Sequence, residues 1–417
     1  MSLASIEPNP FDLIIIGGGA AGFFAAAELG RLSPGIRILM LEKTGKVLSK
    51  VKISGGGRCN VTHSCFDPKK LIEFYPRGNP WLKEVFDQFS VKNTLEWFEK
   101  EGVKIKAEAD GRMFPVTNTS QTIVDALFRA AHRNPGFCLR LHSPITSIQP
   151  IQNQGYTIST PTEDFSAKRV LLTCGGQPSL SGFQFLSGLR LQFISPVPSL
   201  FTFNTKPHPW SDLQGVSVTE ATVSLVNSPH QFTGPILVTH WGFSGPAVLK
   251  LSAFAARFLA DNNYQYQFKI DFLPQIPKEK VVADLKQFAQ LNPRKKPISD
   301  PVFPIPKKLW IQLCTDVGLH QYHNWAETGK KAIEALADVL KNRQFEASGK
   351  TTYKEEFVTS GGIDLQTVDP KTCQITNHPG LFAAGEILDV DGITGGFNFQ
   401  AAWSTGFVSA HAIDKIV

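Results

Sequence analysis

The segment that most restricts this chain runs from Asp12 to Glu42. Leu13-Ile14-Ile15-Ile16, after Asp12, is apolar enough for a short strand buried on both faces. Gly17-Gly18-Gly19-Ala20-Ala21-Gly22 follows with the spacing GxGxxG, and small-residue helical character continues to Arg31, where Ser33-Pro34-Gly35 ends it. Arg37 to Glu42 reads as a second strand. A strand, a helix and a strand within about 30 residues form a βαβ unit of the dinucleotide-binding kind. Gly17 permits the sharp turn, Gly19 lets backbone approach a pyrophosphate, and Gly22 allows the helix to pack on the strand. Ala20 and Ala21 open a helix whose free N–H groups and positive dipole end suit phosphate. Glu42, followed by Lys43, lies 20 residues past Gly22. A carboxylate there accepts both hydroxyls of an adenosine ribose and repels a 2′-phosphate. The stretch from Phe11 to Leu29 is apolar, but Asp12, Glu28 and three central glycines fit strand, turn and helix better than a membrane span.

The rest of the chain predicts a discontinuous fold. Glu84–Glu101 has helical periodicity, and Gln121–His132 is a second helix. Leu139–Leu141, Ile145–Pro150, Tyr156–Thr160 and Arg169–Thr173 read as strands, with a hairpin at Asn153-Gln154-Gly155. Past about residue 193 proline becomes frequent and β-type runs such as Gly215–Val226 and Pro235–Thr239 dominate. Lys278–Gln290, Lys307–Val317 and Lys330–Lys341 then read as helices. After Thr359 the Rossmann character returns, with Leu381–Ala384 as a strand and a helix starting near Gly396. The division is 1–193 and 359–417 for a Rossmann domain, 194–275 and 341–358 for a β-rich insert, and 276–340 for a helical basic subdomain.

Of the 417 residues, 42% are hydrophobic, ample for more than one core. The net charge of +6 is mild. Lys278 to Lys350 holds 13 Lys and Arg against 8 Asp and Glu, so most of that charge sits in the helical segment. A solvated basic face explains it, and no nucleic-acid motif accompanies it. The six cysteines form no CxxC pair and no zinc spacing, which predicts reduced thiols, no metal site and a cytoplasmic location. The N-terminus lacks the basic region of a secretory signal.

Two features favour FAD over NAD. The first is Ser54-Gly55-Gly56-Gly57-Arg58-Cys59-Asn60, three glycines beside an arginine, suited to lie against phosphate or ribityl oxygens. The second is Gly385-Glu386 with Asp391 and Gly395-Gly396-Phe397-Asn398. A late strand ending in Gly-acidic belongs near a ribityl chain, and the next helix points its N-terminus at the flavin pyrimidine end.

These blocks resemble the BaiN-like NAD(P)/FAD-dependent oxidoreductases, also called YhiN-like or aminoacetone-oxidase-like flavoproteins. IIIGGGAAG with LEK, ISGGGRCNVTH, GRMFPVTNTSQTIVDAL, FTGPILVTHWGFSGPAVLKLS, and TSGGIDL with LFAAGEILDVDGITGGFNFQAAWSTGFVSA are similar to that family in order and nearly end to end. The resemblance implies an α/β fold: a Rossmann-type FAD-binding domain from both chain ends, an inserted β-barrel-like domain and a helical subdomain. It implies FAD contacts at Gly17, Gly19, Gly22, Glu42, Arg58, Cys59, Asn60, Gly385, Glu386, Asp391, Gly396, Asn398 and Gln400. Ala20, Ala21, Lys43, Gly57, Ile145, Cys174, Gly175, Gly176, Gly395 and Phe397 complete the candidate cofactor set. The sequence departs from the family at Thr173-Cys174-Gly175-Gly176-Gln177, where Cys174 replaces a small residue, either as a buried filler or as a redox thiol.

No second GxGxxG follows a strand, so no separate nicotinamide domain is expected. NAD(P)H as a transient donor, oxygen as acceptor, and a protein electron donor all stay open. His240, in Thr239-His240-Trp241-Gly242, is the candidate proton-transfer residue. The expected activity is flavin-mediated reduction of an activated double bond, or oxidation of an amine-type small substrate. The alternatives are a flavin-binding regulatory or nucleic-acid-associated protein, and an NAD dehydrogenase without flavin.

Overall fold

The computed structural model of the chain describes residues 11–151, 155–351 and 358–417. These divide into two compact units, one from residues up to Ser199 together with those from 358 onward, the other starting at Leu200.

The first unit is built on a five-stranded parallel sheet. Its strands are β1 (Leu13–Ile16), β2 (Ile38–Leu41), β3 (Phe137–Arg140), β4 (Val170–Leu172) and β5 (Leu381–Ala383), in the order β5-β4-β1-β2-β3. Every residue of β1, β2, β4 and β5 is buried. That is why they read as unbroken apolar runs: helices cover both faces of a parallel sheet. The chain leaves β1 for β2 on one side, while β4 pairs on the other. The carboxyl ends of β1 and β4 therefore open a crevice at the point where strand order reverses.

Helix α1 (Ala20–Leu32) follows β1, α2 (Gln121–His132) precedes β3, and α3 (Phe397–Asp414) closes the chain. α1 and α3 pack closely: a Cβ on Gly406 of α3 would stand 2.9 Å from the Ala21 carbonyl. Small residues at such positions let two helices approach. Ser147–Ile151, Gly155–Ser159 and Asp164–Ala167 form an antiparallel sheet. The expected hairpin is thus present, although its turn at Asn153 and Gln154 lies outside the described residues. The long helix expected over Glu84–Glu101 is corrected to two, Asn79–Gln88 and Val91–Lys100. Ser90 interrupts the periodicity, exchanging capping hydrogen bonds with Asn93 to start a new helix.

The second unit contains a seven-stranded antiparallel sheet, in the order Arg343–Ser348, Gln265–Asp271, Ser217–Leu225, Gln231–Val238, Gly242–Ser244, Thr202–Asn204, Lys350–Thr351. Phe203, Phe243, Phe268, Phe345 and Trp210 are buried on it, with ring centroids such as Phe243–Phe345 4.6 Å apart. Helices Lys278–Leu291, Lys307–Asp316 and Lys330–Asn342 add Leu285, Trp310, Leu313, Leu336 and Leu340 to this same cluster. The basic helices and the sheet share one core.

One buried charge ties α1 to α3. Glu28 is 2% exposed and accepts from Arg31 (2.6 Å), His411 (3.0 Å) and Trp97 Nε1 (3.3 Å). Burial alone would raise its carboxyl, but the hydrogen bonds from His411 and Arg31 outweigh that and hold it at about 2, against an ordinary 4.5. A depressed folded pKa stabilises above the unfolded value, and the contribution is lost as pH falls from about 4.5 toward 2. Thermal unfolding of Glu28→Gln should show a shallower loss of stability over that window, with a lower Tm at neutral pH. An acid limb identical to wild type would remove Glu28 from this role.

Candidate functional site

At the crevice, Gly17 has φ +108°, and a Cβ there would stand 2.6 Å from Thr173 O and 2.8 Å from Cys174 Cα. Gly17 is therefore glycine for two reasons: a left-handed turn and contact with the chain leaving β4. A Cβ on Gly22 would meet Gly17 O at 2.5 Å and Thr173 Oγ1 at 2.7 Å, so this glycine seats α1 on the strand end. Gly19 differs, because only Thr173 O, at 3.9 Å, comes near its Cβ position. α1 starts there without a side-chain cap and with no acidic residue in its first turn, which holds Ala20 and Ala21. Its first N–H groups sit at the positive dipole end, the kind of donor set that suits a pyrophosphate.

Glu42 follows β2 directly, with its carboxylate fixed. Gly18 N–H donates to Oε2 (2.9 Å), and Thr44 donates to Oε1 from its N–H and its hydroxyl (2.9 Å each). Oε2 keeps a lone pair for a further donor such as a ribose hydroxyl, while both lone pairs of Oε1 are engaged by Thr44. Ser143 N–H donates to Glu42 O and His142 N–H to Thr44 O, which brings the segment carrying half-buried Ile145 alongside. Lys43 is exposed beside Glu42.

The glycine loop is a run of left-handed residues, Gly55, Gly56 and Gly57, with φ of 58°, 67° and 82°. Gly55 packs against the Phe114 ring, whereas Gly56 and Gly57 have nothing within 4 Å of their Cβ positions. Arg58 next to them is engaged: its guanidinium bonds Glu108 at 2.6 Å and lies 4.0 Å from the Phe114 ring centroid. It props the loop, and a clamp on an anion would have to compete with Glu108. Cys59 is buried in the core, and burial pushes its thiol up to about 12. Asn60 Oδ1 accepts from Met113 N–H at 3.3 Å.

The late strand brings a second set of residues to the same sheet edge. Gly385 N–H donates to Thr405 Oγ1 (2.9 Å), and a Cβ on Gly385 would touch Ala21 Cβ at 3.0 Å. Glu386 accepts Thr359 N–H at 3.1 Å and a bond from Lys50 Nζ. Gly175 lies 3.8 Å from Glu386 Oε2, measured from its Cβ position, and Gly176 packs on Thr359. Cys174 precedes them, and its desolvated thiol is pushed up to about 12, which makes it a poor nucleophile.

Other expected contacts turn inward. Gln400 is fully buried; it accepts from Thr62 (2.6 Å) and Thr94 (3.1 Å) and donates to Ser404 (2.9 Å). Asn398 spends its amide on both backbone groups of Gly392 (2.8 and 2.9 Å). Asp391 is buried against Arg77 and Ser199; burial pushes its carboxyl up against the pull of that guanidinium. Gly396 caps α3 with its Cβ position 2.6 Å from Thr62 backbone, Gly395 packs on Phe397, and Phe397 stacks on Phe74 and His63. These side chains shape the start of α3, whose first turn carries no acidic residue. Thr173, Lys50 and Arg77 act through partners 122 to 336 residues away, whereas Thr405 and Thr359 reach Gly385 and Glu386 across 20 and 27 residues.

His240 belongs to the second unit. It sits exposed on the turn Thr239–Trp241, its ring edge-on to Trp241 at 4.9 Å. His208 braces that turn, with Nε2 3.0 Å from Thr239 O.

A Rossmann crevice with an uncapped helix start, an oriented carboxylate after β2 and a returning Gly-Glu strand is the architecture of a nucleotide-binding flavoprotein. The family described as "HI0933-like protein Rossmann domain" matches residues 11–412, and the chain belongs to it. It is an FAD-dependent oxidoreductase, as the motif blocks implied. The chain is 27% identical to the ribosomal RNA dihydrouridine synthase of Haemophilus influenzae, over 96% of this chain and 98% of that one. It is also 27% identical to the 3-dehydro-bile acid delta(4,6)-reductase of Clostridium scindens, over 95% and 98%. The fold is shared with the 3-ketosteroid delta1-dehydrogenase of Sterolibacterium denitrificans, with TM-score 0.52, 13% identity, and coverage of 98% of this chain and 100% of that one. No helix among the described residues is long and apolar enough to cross a membrane.

Two outcomes are expected. Gly22→Ala forces a Cβ onto Gly17 O, so purified protein should carry at most about a tenth of the wild-type flavin absorbance; full flavin content would refute the packing role. Cys174→Ala should leave the flavin spectrum and turnover unchanged, whereas a turnover loss would assign the thiol a redox task.

Proposed function

We propose that this protein reduces a carbon–carbon double bond conjugated to a carbonyl group. One observation carries this reading: the chain matches, end to end and at equal identity, relatives whose names describe different substrates but one bond chemistry. Dihydrouridine is uridine with the double bond beside its C4 carbonyl saturated. A delta(4,6)-reductase of a 3-dehydro steroid saturates double bonds conjugated to the 3-ketone.

FAD, when bound, supplies hydride transfer. In this reading the chain holds it through the backbone of Gly17, Gly19, Ala20, Ala21 and Gly22, through Glu42 with Lys43 and Ile145 nearby, and through Gly56 and Gly57. Gly175, Gly176, Gly385 and Glu386 line the crevice, and Gly395 and Gly396 set the start of α3. Helix α3 would offer its positive end to bound FAD, where negative charge gathers on reduction. His240 is the candidate group that moves a proton to the substrate carbon. NAD(P)H is the candidate electron donor, and a cytoplasmic location, consistent with six free thiols, is part of the proposal.

A second reading concerns what carries the double bond. Arg294, Lys296, Lys307, Lys308 and Lys331 are exposed and form no ion pair among the described residues. Such exposed cations favour an RNA carrier, as in the dihydrouridine synthases, over a free small molecule.

Anaerobic titration with NADH and NADPH should bleach the visible flavin bands. Adding a 4,6-dien-3-one steroid, or ribosomal RNA lacking dihydrouridine, should restore them. Recovery with RNA that weakens steeply with salt would select the RNA carrier. Recovery by oxygen alone, with reduction by an amine, would make the protein an oxidase and end the proposal. His240→Ala should slow the substrate-driven recovery by about 100-fold with flavin still bound; an unchanged rate removes His240 from the chemistry.

A further inference from the structure

Val358–Ile363 pairs antiparallel with Phe193–Ser199 in the first unit and delivers Thr359 beside the carboxyl ends of β4 and β5. Thr359 is 1% exposed, and its hydroxyl has no hydrogen-bond partner among the described residues. Its backbone N–H is used, donating to Glu386 Oε1. The hydroxyl faces Gly176 so closely that a Cβ on that glycine would stand 2.5 Å from Oγ1 and 3.1 Å from Glu386 Cδ. Lys50 Nζ donates to the other Glu386 oxygen. Ser360, the next residue, also buries a hydroxyl without a partner among the described residues, but alternation along the strand turns it to the opposite face.

A buried hydroxyl without a partner destabilises a protein relative to a methyl group of the same shape. Its retention in a folded chain calls for a partner that is not part of the chain. Beside Gly175 and Gly176 a hydroxyl and a carboxylate come together, with Thr359 Oγ1 2.5 Å from the Gly176 Cβ position, Glu386 Oε2 3.8 Å from that of Gly175, and the Lys50 ammonium on Glu386. The ligand chemistry that matches is a chain of neighbouring hydroxyls, which both donates to a carboxylate and accepts from a threonine.

We propose that Thr359 Oγ1 donates a hydrogen bond to the sugar-alcohol chain of bound FAD. Glu386 accepts from the same chain and Lys50 fixes Glu386. The inference rests on FAD as cofactor and is independent of the substrate.

Thr359→Val keeps the shape and removes the hydroxyl; Thr359→Ser keeps the hydroxyl. FAD affinity is read on the full chain by quenching of FAD fluorescence after removal and re-addition of the cofactor. Thr359→Val should raise the Kd for FAD about tenfold, and Thr359→Ser should stay within about threefold of wild type. The flavin-stripped Thr359→Val protein should unfold at the wild-type temperature or above, because an unsatisfied hydroxyl has gone. A wild-type Kd in Thr359→Val overturns the proposal, as an internal or water-satisfied hydroxyl would predict. A lower Tm of the stripped Thr359→Val, or failure of that variant to fold, also overturns it, because the hydroxyl would then be holding the protein together. Neither result touches the double-bond chemistry, which is read separately from substrate-driven flavin recovery.

Discussion

The close approach of backbone to backbone around Ala21 is the constraint on which the first unit depends. Gly17 and Gly22 let the turn after β1 lie on Thr173, and Gly385 and Gly406 let the end of β5 and the flank of α3 lie on Ala21. Four glycines far apart in the chain thus share one job, the removal of side-chain volume where three strand ends and two helices converge. Thr173 and Thr405 add directed bonds there, from Thr173 Oγ1 to the strand-end carbonyls and from Gly385 N–H to Thr405 Oγ1. A Cβ at Gly17, Gly22 or Gly406 would meet main chain, and one at Gly385 the Cβ of Ala21, so no flexible side chain can move aside and relaxation is expensive.

With that knot closed, the polar groups around it divide into two kinds. Gln400, Asn398 and Asp391 are satisfied by Thr62, Thr94, Gly392, Arg77 and Ser199, and their work is to hold α3 and its leading loop in place. In contrast, the start of α1 has no side-chain cap, Gly56 and Gly57 have nothing within 4 Å of their Cβ positions, and the Thr359 hydroxyl has no partner among the described residues. Buried or convergent polar groups left open in a folded chain mark where a ligand completes the structure. The position of a residue in a family-like block does not by itself separate the two kinds; its hydrogen-bond partners do.

The second unit achieves stability by a different route. Its sheet is antiparallel, and aromatic rings from Phe203, Phe243, Phe268 and Phe345 fill the face that the helices cover. The helices that carry the basic residues are amphipathic, with Leu285, Leu313 and Leu336 inward, so the lysines are displayed as a consequence of burying the opposite side.

The sequence alone determined the elements whose signal is local. GxGxxG between an apolar run and a small-residue helix, Glu42 after the second run, and Leu381–Ala383 before Gly385 all describe contacts made within a few residues or dictated by burial on both sheet faces. The amphipathic helices at Lys278, Lys307 and Lys330 were legible for the same reason. The division at Ser90 was not, because apolar spacing continues through it and only a capping exchange with Asn93 breaks the helix. Tertiary structure decided which side chains remain free: Arg58 finds Glu108, Gln400 finds Thr62, and Asp391 finds Arg77 across 50 to more than 300 residues. It also placed Thr359 and Lys50 at Glu386. Hydrogen-bond partnership between distant segments depends on where strands and helices end in space, and no pattern within either segment encodes it.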